Sequence, residues 1–176
     1  MDIRITDKSM TKTPARYAAV LGMFCALAAA VAFLESMLPS LPIPGARLGL
    51  SNIVTMAAMS GMGVPAAAAV VLVKGAFALM RGGVACVMSL SGGIASITAM
   101  AILYKIAGQR DKISFIGLGA AGAAAHQLGQ LAAASIITGG GVWMLTPVML
   151  LAGLAAGILT GGILNRISLL LKEVRL

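Results

Sequence analysis

The sequence predicts an all-α integral membrane protein, a single bundle of six transmembrane helices. Composition is the first reason: 60% of the residues are hydrophobic, only 10% are charged, and the mean hydropathy is +1.01. Soluble domains carry about a quarter charged residues. The second reason is punctuation, because apolar runs near the roughly 20 residues that cross a bilayer alternate with short Pro-, Gly- or charge-rich turns. The third is the placement of the basic residues, which mark one side of the membrane.

The first span runs from about Tyr17 to Leu38. It follows a basic N-terminus and has no small-residue cleavage site, so it reads as a retained span and not a signal peptide. A Pro-rich link, Pro39 to Arg47, leads to a second span from about Leu48 to Met62, short unless its ends are covered by protein. Gly63-Val64-Pro65 turns into the third span, which ends near Met80, and Arg81-Gly82-Gly83 turns into the fourth, ending near Ile106. A polar loop, 107–112, precedes the fifth span, Ile113 to Thr138, and Gly139-Gly140-Gly141 leads into the sixth, Val142 to Leu164. The chain is then one transmembrane domain: a basic N-terminus (1–16), the bundle (17–165) and a basic tail (166–176).

The net charge of +8 does not indicate nucleic acid. Ten of the thirteen Lys and Arg residues lie in the N-terminus, the 107–112 loop with its flanking Lys105, and the tail. An even number of spans places all ten on the cytoplasmic side, as the positive-inside rule requires, and both termini with them. Cys25 and Cys86 fall in apolar stretches with no CxxC pair, and read as reduced, packed thiols. No phosphate-cradling Gly-x-x-x-x-Gly-Lys-Ser/Thr pattern is present.

Three cations remain on the outer side: Arg47, Lys74 and Arg81. A cation at the bilayer centre costs about 2.5–3.5 kcal/mol on insertion scales, so one retained there usually meets an anion. Lys74 lies about ten residues into the third span, and Arg81, seven residues on, projects from nearly the same face. Arg47 and Arg81 fit snorkelling to headgroups equally well. Glu35, the one acidic residue within the spans, is a structural alternative as the partner of Arg47, Lys74 or Arg81, but one carboxylate cannot neutralise three cations. An anionic small molecule is therefore expected.

The fifth span adds His126 and Gln130, four apart on one face, with Gln127 beside them. Asn52, Ser89 and Ser91 are further polar candidates, and the pair Gly92-Gly93 after Ser91 is expected to expose backbone groups within a span. For each, hydrogen bonding between helices competes with ligand contact. Trp143 reads as an interfacial anchor or a stacking surface. In the first span Ala18, Gly22, Ala26 and Ala30 form a small-residue ridge suited to docking another helix, in the bundle or in a partner.

Glu35-Ser-Met-Leu-Pro39, Pro42-Ile-Pro44-Gly45-Ala-Arg47-Leu-Gly49-Leu-Ser51-Asn52, Ser89-Leu-Ser-Gly92-Gly93 and His126-Gln-Leu-Gly129-Gln130 resemble the Gx transporter family, often labelled heptaprenyl diphosphate synthase component I. Gln127 stands where the commoner form has Asn. The resemblance implies a fold similar to the substrate-binding S components of energy-coupling-factor transporters. Such proteins have six helices, a solute site near the outer face, and a first helix that docks on a transmembrane coupling subunit served by ATPases. It also implies a bacterial cytoplasmic membrane location, with flavin (FMN or FAD) as transported substrate and no intrinsic cofactor. The label taken literally implies an accessory, non-catalytic subunit of a prenyl diphosphate synthase. Such enzymes hold Mg²⁺ on clustered aspartates, and Asp2, Asp7 and Asp111 are scattered outside the spans. A structural membrane subunit without a solute is the third reading.

The charge pattern makes a topological prediction. A fluorescent-protein fusion at the C-terminus is expected to be bright and an alkaline phosphatase fusion there inactive, and the opposite result overturns the even span count.

Overall fold

The computed structural model describes residues 13–37, 49–107 and 114–173. They form six α-helices in chain order: α1 (Pro14–Ser36), α2 (Asn52–Met62), α3 (Val64–Leu79), α4 (Gly83–Ala107), α5 (Phe115–Thr138) and α6 (Thr146–Glu173). A 3₁₀ helix, Gly140–Leu145, leads into α6. No strand occurs among the described residues. The predicted six-helix count is therefore met.

The spans are less uniform than the sequence suggested. Among the described residues three helices are long and apolar enough to cross a membrane: Pro14–Ser36, Gly83–Ile106 and Gly140–Leu170. α3 is apolar but has only 16 residues. α5 has the length, 24 residues, but its His, Gln and Gly content dilutes its hydropathy. α2 has 11 residues, about 16 Å at about 1.5 Å per residue, roughly half the hydrocarbon thickness. It is not a complete span.

This shortest helix is the most central. It touches all five others, whereas α1 packs chiefly on α3 and α2. Eight of the 11 residues of α2 are buried, against Ala28, Ala32 and Glu35 alone in the 23 of α1. Met56, Ala57 and Met59 of α2 join Ala67 and Val71 of α3, Ile97 and Met100 of α4, Phe115 and Leu118 of α5 and Leu164 of α6 in the main apolar core. Gly63, at φ +92°, links α2 to α3 with a single residue, a backbone conformation open to glycine and strained for other side chains.

The bundle is apolar outside, and most of its polar side chains within the helices lie inside, beside the apolar core. Leu27, Leu72, Ile94, Ile102, Leu151 and Leu159 are exposed, while Asn52, Thr55, Lys74, Ser96, His126, Gln127 and Gln130 are buried. An apolar exterior this extensive needs lipid or protein to cover it. Cys25 and Cys86 are free and half-buried, as expected.

Helix contacts rely on the absence of side chains. Gly153, Gly157 and Gly161 recur at four-residue spacing along α6 and receive Phe115, Gly119, Ala123 and Gln127, equally spaced on α5. A Cβ on Gly157 would lie 2.5 Å from the Gly119 carbonyl oxygen, which is backbone and cannot swing away. The adjacent Gly162 has nothing within 4 Å of its Cβ position. Gly157→Ala is expected to destabilise the bundle by about 1–3 kcal/mol, the usual cost of overpacking, whereas Gly162→Ala should be neutral or stabilising. Thermal unfolding of the two variants in one detergent compares them directly.

Candidate functional site

The site begins where α2 begins. Gly49 and Leu50 precede the helix, and Gly49 takes φ +82°. The first turn closes through i→i+3 bonds, Asn52 N–H to Gly49 O (2.9 Å) and Ile53 N–H to Leu50 O (3.1 Å). Such a turn leaves the amides of Gly49 and Leu50 with no helical acceptor. Both donate to one oxygen of Glu35, at 2.5 Å from Gly49 and 3.2 Å from Leu50. Glu35 projects from the last turn of α1 and is only 6% exposed. The bond is charge-assisted and sits at the positive end of a helix, where a carboxylate is favoured.

Beside this turn stands His126, in the middle of α5. A Cβ on Gly49 would lie 3.1 Å from the imidazole, and one on Gly92 would lie 2.8 Å from it. The ring is thus held between the α2 turn and α4. Nε2 of His126 is 2.7 Å from Nε2 of Gln130, one turn along α5. Gly92 therefore makes room for the imidazole, and Gly93 makes room for Val71, where the sequence led us to expect exposed backbone in this stretch.

These groups open onto a small cleft lined by Ala32, Glu35, Gly49, Ser51, Lys74, Phe77, Arg81, Ser89, His126 and Gln130. Lys74 and Arg81 share the cleft, as their seven-residue spacing predicts. Lys74 is 4% exposed, whereas Arg81 lies at the exposed rim, in the turn after α3. Burial pushes the Arg81 guanidinium below its ordinary value, and the field of the Glu35 carboxylate pulls it back up. An arginine stays charged throughout the working pH range despite such shifts. Two cations thus face one carboxylate among the lining side chains, and that carboxylate already accepts two backbone hydrogen bonds.

Six of the residues singled out in the sequence come together here: Glu35, Lys74, Arg81, Ser89, His126 and Gln130. Others do not line the cleft. Asn52 donates to Ser96 Oγ at 2.6 Å, linking α2 to α4. Ser91 bonds the Met88 carbonyl of its own helix at 3.1 Å. Gln127 is fully buried against Gly153 of α6. Trp143 sits in the 3₁₀ helix, 46% exposed. Arg47 lies outside the described residues, as does the Pro-rich link.

The α1 ridge faces away from the bundle. Ala18, Gly22, Ala26 and Ala30 are exposed, with open space around Gly22, while Ala28 and Ala32, with Leu21, Phe24, Cys25 and Val31, pack inward. Among the described residues no three His, Cys, Asp or Glu side chains gather as a metal site would require.

Sequence reasoning missed Phe77, Ser51 and the two backbone amides. Phe77 was accessible to it, being three residues after Lys74 and four before Arg81, hence on their face. Its ring meets Phe33 of α1 edge to face, with centroids 6.4 Å apart. The amides carry no side-chain signature at all.

The family model described as heptaprenyl diphosphate synthase component I matches residues 24–167, from α1 to the last turns of α6, and so covers every described residue of the cleft. No curated protein and no solved structure matches the chain. With most of its length and its whole cleft inside that match, the chain belongs to the heptaprenyl diphosphate synthase component I family.

Proposed function

We propose that the protein is the solute-binding part of a membrane transporter, and that its cleft takes a small anionic, cofactor-like solute. One observation carries this reading: Lys74 is almost fully buried at a cleft where Lys74 and Arg81 outnumber the single carboxylate. A cation already withdrawn from water is stabilised by an arriving anion more than one in water, because the local dielectric is low.

The placement of charge supports an outward-facing cleft. Arg16, Lys105 and Arg166 belong to the opposite ends of α1, α4 and α6, the ends that the positive-inside rule assigns to the cytoplasm. The short α2 supports the reading too, since half-helices that start within a bundle recur at solute sites of transporters. Flavin remains the proposed cargo. FMN unites a phosphate with a flat ring, and Phe77 offers that ring an aromatic neighbour within the cleft. The outward small-residue ridge of α1 would suit a transmembrane coupling subunit.

The family description favours a second reading, an accessory membrane subunit that presents a prenyl diphosphate to a catalytic partner. Its diphosphate would meet the same cations, so the two readings differ in what is attached to the phosphate.

Titration of the detergent-purified protein with FMN and, separately, with farnesyl diphosphate tests both. Lys74→Ala is expected to weaken binding by about 1–3 kcal/mol, the worth of a charge-assisted contact, and Trp143→Ala to leave it unchanged. FMN binding without farnesyl diphosphate binding favours transport, and the converse favours the synthase subunit. Equal affinity in wild type and Lys74→Ala removes the cleft from either role.

A further inference from the structure

The Glu35 carboxylate occupies the position that the anionic solute itself would find most favourable. It holds the two amides at the start of α2, lies within the cleft, and shares that cleft with Lys74 and Arg81. The α2 turn contributes two converging N–H donors and the positive end of an 11-residue helix. A phosphate oxygen reaching the floor of the cleft would therefore meet a site already filled by the protein's own anion.

The helix that carries this carboxylate has few fully buried residues. α1 packs chiefly on α3 and α2, and only three of its 23 residues are buried. One of those three is Glu35 itself, and the other two are alanines. The two hydrogen bonds that Glu35 accepts from Gly49 and Leu50, together with the Phe33–Phe77 ring contact, join the end of α1 to the centre of the bundle.

We propose that Glu35 is a tethered stand-in for the solute's anionic group, a positioning residue that keeps the Gly49 and Leu50 amides satisfied until a phosphate-class anion displaces it. The inference rests on the anion-binding reading of the cleft and adds the order of events. In the empty state the carboxylate caps α2. In the loaded state the solute's anion takes the amide pair and the end of α1 is released. Neither state leaves buried N–H donors unanswered, so exchange avoids the cost of an orphaned amide in low dielectric. Occupancy of the cleft is thereby felt on α1, the helix whose opposite face is the exposed small-residue ridge.

The test uses inorganic pyrophosphate, which carries the anionic group alone, and protein labelled with ¹⁵N at glycine and leucine. In the wild type, titration is expected to shift the Gly49 and Leu50 amide resonances in step with binding. Glu35→Gln removes the competing charge, and Glu35→Asp keeps the charge but shortens its reach by one methylene. Both are expected to tighten pyrophosphate binding, by about tenfold for Glu35→Gln, since 1.4 kcal/mol of lost competition is a factor of ten. Binding that leaves both amides unmoved overturns the stand-in role. Tightening in Glu35→Gln but not in Glu35→Asp also overturns it, because the carboxylate would then act through its charge alone. Absence of pyrophosphate binding in all three proteins overturns the anion-site reading together with it. Should either variant fail to fold, the wild-type amide shifts decide the matter.

Discussion

A helix that starts inside a bundle with an apolar exterior must find partners for its first amides, and the two bonds from Gly49 and Leu50 to Glu35 meet that demand. At a protein surface, water would do the same work without cost. In a hydrocarbon setting each unanswered amide costs several kcal/mol, so irregular backbone survives there only where protein surrounds it. The neighbouring features follow from this requirement. α2 is short because its N-terminus is placed beside the middle of α5, at His126, and it is central because the other five helices must enclose it. Glu35 is buried because it serves that N-terminus. A buried carboxylate in turn favours cations nearby, and Lys74 and Arg81 share its cleft.

The glycines give the cleft its precision. In a bilayer the driving force between helices is close packing, so the backbones must approach each other. Gly92 opens a space on α4 that the His126 ring fills, and the ring in turn lies against Gly49. The imidazole is therefore clamped from two sides, and its bond to Gln130 fixes its orientation further. The same device on α6, with glycines at 153, 157 and 161, brings α5 and α6 together and leaves Gln127 lying over Gly153. One polar stretch of α5 is thus divided by helix geometry: His126 and Gln130 face the cleft, while Gln127, about 100° away around the axis, serves the interface with α6.

The outward ridge of α1 fits the same economy of contact. Ala28 and Ala32, with Leu21, Phe24 and Val31 beside them, seat α1 on its neighbours, and Ala18, Gly22, Ala26 and Ala30 are left facing out. Small side chains facing lipid gain little from it, since a bilayer accommodates large apolar groups at least as well. A helix with a seat on one side and a small-residue face on the other is mechanically suited to relay a change at Glu35.

Residue types and spacing alone determined the apolar, all-helical character, the number of helices, and the sharing of one face by Lys74 and Arg81 and another by His126 and Gln130. These are properties of single helices: hydropathy needs only a window of sequence, and the 3.6-residue period assigns faces before any helix has a neighbour. Tertiary structure alone decided that Glu35 binds backbone amides, that Asn52 turns to Ser96, that Gln127 and Trp143 stand away from the cleft, and that α2 is half a span. Each of those outcomes depends on the depth and rotation of one helix relative to another, and backbone amides are the same at every position. No periodicity within a single segment carries that information.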